Sequence, residues 1–155
     1  GGACIADPAR GLLKIAVVNR YADAPAAVGW ITGMGLQRGA IASCVAHDSH
    51  NIVAVGTNDD DLCAAVNAVI DTCGGISLAD GERRMSLALP VAGIMSNADA
   101  YDVAREYGLM DSAAKALGCT MGAPYMTLSF MALLVIPHLK MSDRGLFDGD
   151  SFSFV

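Results

Sequence analysis

The sequence has 155 residues, of which 54% are hydrophobic and 17% charged, with a net charge of −6. That length suits a single domain over 1–155, and so apolar a composition excludes a disordered chain. The acidic balance, with no basic cluster beyond Arg83-Arg84, excludes a nucleic-acid groove, which needs a positive footprint.

In chain order, residues 12–18 (LLKIAVV) read as a buried strand, 19–27 as a loop and 28–34 (VGWITGM) as a second strand. Residues 35–39 form a turn. The runs 40–46 and 52–55, rich in small and β-branched residues, read as strands with a polar hairpin-like loop between them. The clearest helix covers about 58–73: Leu62, Val66, Val69, Ile70 and Cys73 fall on one face. Thr57 or Asn58 caps it, and Asp59, Asp60 and Asp61 place negative charge at the positive end of its dipole. Gly74-Gly75 ends it.

Strands at 76–79 and 82–89 are joined by Asp80-Gly81, a dipeptide that tolerates the positive φ angles of a tight hairpin. Pro90 closes the second. A further helix is expected over about 97–117, capped at Ser96-Asn97, with Val103, Tyr107, Met110, Ala114 and Leu117 in phase through Gly108. Residues 124–136 suit strand or helix and are read as partly strand. Residues 139–147 form a short strand and turn, and the last residues a tail. Two main helices among tight hairpins give an α+β fold with a mostly antiparallel or mixed sheet.

The longest apolar run, 126–136, contains Thr127 and Ser129 and falls short of the roughly 20 residues a membrane span needs. Residues 1–4 lack the basic and apolar regions of a signal peptide. Five cysteines without C-x-x-C spacing are expected to be buried, reduced thiols of a cytoplasmic protein. Charged residues usually make up about 25% of a soluble domain, so the surplus of apolar residues points to surface covered by another domain or a second copy.

The glycines of Gly33-x-Gly35-x-x-x-Gly39 depart from the dinucleotide fingerprint and precede a strand, so they read as a turn. Asp59, Asp60 and Asp61 point about 100° apart along a helix and do not converge on one cation. Ser43, Ser49 and Ser129 lie in no nucleophile elbow. The one polar cluster is His47, Asp48, Ser49, His50 and Asn51. Three readings stay open for it. His47 and His50 are weak metal candidates with Asp48 as third ligand or as an outer acceptor. Alternatively the loop contacts a ligand or another surface at a rim. In the third reading, Asp48 and Asn51 satisfy turn backbone groups.

The stretches 12–21 (LLKIAVVNRY), 33–70 with GAIASCVAHDSHNIVAVGTN at its heart, 89–96 (LPVAGIMS) and 124–148 together resemble the C-terminal domain of bacterial and archaeal adenine deaminases, of the amidohydrolase superfamily. The resemblance runs along essentially the whole chain. It implies an enzyme that hydrolyses adenine to hypoxanthine and ammonia in a separate N-terminal (β/α)-barrel domain, where a divalent metal (Mn, Fe or Zn) activates water. No H-x-H pair and no H-x-E…P-C-x-x-C pattern occurs here. By that resemblance the chain supplies no catalytic residue, binds no cofactor and is inactive alone. It is expected to pack on its own barrel, with loop 47–51 helping to cover the active-site mouth, and to form a homo-oligomer. The alternatives are a structural or oligomerisation module without ligand contact, and a stand-alone purine-binding domain.

Overall fold

A computed structural model describes residues 5–155; Cys4 and the stretch read for a leader lie outside it. Six strands form one sheet in the order β2-β1-β4-β3-β5-β6, every neighbouring pair antiparallel. They are β1 (Leu13–Val18), β2 (Ala27–Ile31), β3 (Ala40–Ser43), β4 (Ile52–Gly56), β5 (Gly75–Asp80) and β6 (Arg83–Ala88). Helix α1 (Asp59–Asp71) covers one face. Helices α2 (Ala100–Ala116) and α3 (Pro124–Phe130) cover the other. A second antiparallel sheet, β7 (Leu139–Ser142), β8 (Gly145–Asp148) and β9 (Ser153–Phe154), packs against β1 and β2. The α+β class expected from the sequence is the class observed.

The two faces of the sheet differ in side-chain size, and that difference sets the layers. Ala16, Ala40, Ala42, Ala54 and Ala79 point toward Leu62, Ala65, Val66 and Val69 of α1. With only methyl groups between, α1 sits close enough for Ser77 Oγ to donate to the carbonyl of Ala65 at 2.6 Å. On the opposite face Ile15, Ile41, Val53, Val55 and Leu78 meet Met110, Leu117, Tyr125 and Leu128. Each such fully buried side chain contributes roughly 1.5–3 kcal/mol. Strands β3 and β4 are buried on both faces, which is why they read as unbroken apolar runs rather than alternating ones.

Helix α1 begins where expected: Asn58 Oδ1 accepts from the Asp61 N–H at 2.8 Å, with three aspartates in the first turn. Asp61 does more than complement the dipole. It is buried, and its carboxylate Oδ1 accepts from Gly81 N at 2.8 Å, tying the helix start to the β5–β6 turn. Helix α2 starts later than the sequence suggests. Asp99, not Ser96-Asn97, caps it, through the N–H groups of Tyr101 and Asp102. It runs through Gly108 as one helix.

Three expectations need correction. Residues 124–130 are helical, with Pro124 in the first turn, where its missing N–H costs nothing. The end of the chain is not a tail, because Ser153 and Phe154 pair with Asp148 and Phe147. Among the described cysteines, all free, Cys44 and Cys119 are buried but Cys63 and Cys73 are exposed. The glycine turn is as expected, with positive φ at Gly33, Gly35 and Gly39. No helix among the described residues is long and apolar enough to cross a membrane.

The β8–β9 connection hangs on Asp148. The backbone N–H of Asp150, then the hydroxyl of Ser151, hold its carboxyl below the ordinary carboxylate value. A lowered folded-state value means that this support is complete above the ordinary range and is lost as pH falls through the lowered value. Amide protection at Asp150 and Ser151 should therefore be present at neutral pH and collapse in acid, ahead of the core. Protection independent of pH down to global acid unfolding would refute this.

Candidate functional site

The β3–β4 connection, residues 44–51, rises from two strands buried on both faces, so its base is fixed. The His50 N–H donates to the Ala46 carbonyl at 2.8 Å, closing one turn, and His50 takes a φ of 53°. Ser43 Oγ accepts from Val45 N at 3.0 Å. Cys44 Sγ donates to the Gly93 carbonyl at 2.8 Å and accepts from Gly75 N at 3.1 Å, binding the loop's root to β5 and to loop 89–97.

The β1–β2 loop clamps the same segment from the other side. Arg20 N donates to Asn51 Oδ1 at 3.2 Å, and the Tyr21 hydroxyl donates to the Ser49 carbonyl at 2.7 Å. Asn19 Oδ1 accepts from Tyr21 N and Ala22 N, fixing the turn that presents those donors. Asn19 Nδ2 reaches Asp143 Oδ2 at 2.7 Å, and Arg20 Nη2 reaches the Ala92 carbonyl at 2.9 Å. Four connections, 19–26, 44–51, 89–97 and the β7–β8 turn, thus meet at one end of the sheet.

The five polar candidates separate within this frame. Asn51 is only 3% exposed and works as a structural acceptor. Asp48 and Ser49 face solvent. His47 and His50 are half-buried, ring centroids 6.2 Å apart and edge-on, and His47 also lies 6.0 Å from the Phe130 ring. His50 Nδ1 and Arg20 Nη1 are buried without a hydrogen-bond partner among the described residues. The metal reading needs three converging ligands. Among the described residues no group of three His, Cys, Asp or Glu side chains gathers to hold an ion. His138 pairs with Asp150 at the β7–β9 sheet, and the serine hydroxyls serve backbone groups: Ser43 at Val45, Ser129 at Met126.

The sequence did not reveal what lies behind His47, a cavity of about 300 Å³ lined by Ile94, Val103, Tyr107, Tyr125 and Met126. Burial pushes the Tyr125 phenol far above its ordinary range, and its hydroxyl donates to the Ser77 carbonyl at 3.1 Å. Burial, then the nearby Asp111 carboxylate, also raises Tyr107. Val103 and Tyr107 had been legible as an apolar helix face, but not as a wall. The arrangement is an apolar hollow with a polar, anchored lip. Such a lip offers hydrogen-bonding groups beside an apolar wall.

Comparison with known proteins bears on the same residues. Residues 1–153 match the family described as the adenine deaminase C-terminal domain. The chain is 57% identical over 157 residues to an adenine deaminase of Salinibacter ruber and 49% identical over 154 residues to one of Methanosarcina barkeri. In both cases the match covers 99% of this chain but 28% of the relative's length. An adenine deaminase of Borreliella afzelii is 48% identical over 149 residues, 27% of its length.

Proposed function

Because the chain belongs to the adenine deaminase C-terminal domain family, we propose that it is the accessory domain of an enzyme hydrolysing adenine to hypoxanthine and ammonia. In that reaction water adds to the purine carbon bearing the amine and ammonia leaves. A divalent metal held by the catalytic domain would supply the activated water. Among the described residues no group of three His, Cys, Asp or Glu side chains gathers to hold it. Their part is to pack on the catalytic domain and to bring loop 47–51 over the mouth of its active site.

The observation that carries this reading is the anchoring of the loop. A polar lip with His47, Asp48, Ser49 and His50 at its surface is held from both sides by Arg20, Tyr21 and Cys44. Rigid bases under polar tips are how folds present groups to a substrate or to a neighbouring site. Covering a mouth acts by excluding water and holding substrate in place. In the full-length protein that carries this domain, His47→Ala combined with His50→Ala should lower kcat/KM for adenine about tenfold, a loss of roughly 1.4 kcal/mol in transition-state stabilisation. Unchanged kcat and KM would remove the loop from the mechanism.

A second role rests on a separate observation. Val28, Trp30, Leu139, Leu146, Phe152 and Phe154 are large apolar side chains left exposed around β2 and the small sheet. We infer that part of this surface is covered by a second copy, making the domain an assembly element as well.

A further inference from the structure

The two edges of the large sheet are not alike. Strand β6 opens with Arg83 and Arg84, both exposed; charges of this kind keep an edge from pairing with another chain. Strand β2, at the opposite edge, reads Ala27-Val28-Gly29-Trp30-Ile31 and holds neither a charge nor a proline. Among the described residues no strand pairs with its outer side. Helix α1 packs on β3 to β6 and leaves Val28 54% and Trp30 39% exposed on its side of the sheet. Along the other side runs a groove of about 620 Å³, between β2 and Leu139, Met141, Arg144 and Leu146 of the small sheet.

We propose that β2 pairs antiparallel with β2 of a second copy, joining two six-stranded sheets across a two-fold axis. The proposal rests on the assembly role inferred above and names its surface. The sequence of the strand is self-complementary about Gly29. In that register Val28 lies opposite the partner's Trp30 and Trp30 opposite the partner's Val28, all on the α1 side. Aromatic and β-branched residues make favourable cross-strand pairs. Ala27 and Ile31 are matched in the same way on the groove side. A two-fold contact requires one patch to fit itself, and an antiparallel strand does so without adaptation. Charge favours the same place. Each chain carries −6, and a contact between copies must avoid apposing carboxylates. The β2 strand has none.

Trp30 is the only tryptophan of the chain, so its fluorescence reads this edge directly. Light scattering on the 155-residue chain, from roughly 1 to 100 µM, should show conversion to twice the monomer mass, because a dimer's population follows concentration. Trp30 emission should move to shorter wavelength over the same range. Val28→Asp, at an exposed position, should weaken the dimer at least about tenfold, and Val28→Thr should keep it. A monomeric wild-type chain at the highest concentration would overturn both the edge and the assembly role. A dimer equally tight in Val28→Asp, with Trp30 emission insensitive to concentration, would overturn the edge alone and leave assembly to another surface. Should Val28→Asp fail to fold, the response of Trp30 in the wild-type chain decides the matter.

Discussion

Gly75→Ala should destabilise the domain by about 3 kcal/mol or more, a large share of the roughly 5–15 kcal/mol that a domain of this kind has. Gly75 opens β5 with a φ of 115°, a region closed to side-chain-bearing residues. A Cβ there would lie 2.0 Å from the Leu87 carbonyl oxygen and 3.1 Å from the Leu89 nitrogen, both backbone atoms that cannot step aside. The same residue donates its N–H to the Gly93 carbonyl and to Cys44 Sγ. Displacing it therefore pries apart β6, loop 89–97 and the root of loop 44–51 together. Thermal unfolding followed by circular dichroism should show a fall of roughly 10 °C or more. Gly108→Ala is the control. It lies mid-helix with nothing within 4 Å of a new Cβ, and it should raise stability by up to about 1 kcal/mol. A Gly75→Ala protein melting with the wild type would mean that the close approach at this corner is not real.

Much of the architecture was legible because local and tertiary preferences agree. Helix α1 has its cap, its acidic first turn and its apolar face in one place, and the Asp80-Gly81 turn fits only a hairpin. The apolar runs of β3 and β4 pointed to strands because small and β-branched residues fill positions covered on both sides. Helix α3 was hidden for the complementary reason. A seven-residue apolar stretch has too little length for a period to show, and no side chain caps it. The cap of α2 was misplaced because Ser96, Asn97 and Asp99 are all competent acceptors, and it is Asp99 whose Oδ1 takes the N–H groups of Tyr101 and Asp102.

The site was legible in part. A polar loop between two apolar strands could be read from spacing, and so could the ambiguity of His47 and His50. What spacing cannot reveal is the partner chemistry. Asn51 looked like a surface turn residue, yet it is buried because Arg20, 31 positions away, presents a backbone N–H to it. The hollow behind His47 draws its walls from strands β3, β5 and β6, the β3–β4 loop, the β6–α2 connection, α2 and α3. No one of these segments carries a sign of it.

On the proposed function, this domain serves a catalytic centre that lies in another domain. Hydrolytic deamination needs a water held and acidified by a metal with about three protein ligands, and an acid to protonate the departing amine. Only three histidines are present in the chain. His47 and His50 sit edge-on at 6.2 Å with no third ligand among the described residues, and His138 is engaged by Asp150 beside the small sheet. The most direct measurement is adenine absorbance over time with the purified 155-residue chain, supplied in turn with Mn²⁺, Fe²⁺ and Zn²⁺. The expected result is no loss of adenine above the protein-free rate with any metal. Steady turnover that scales with the concentration of the chain would contradict the claim and place a complete active site within these residues.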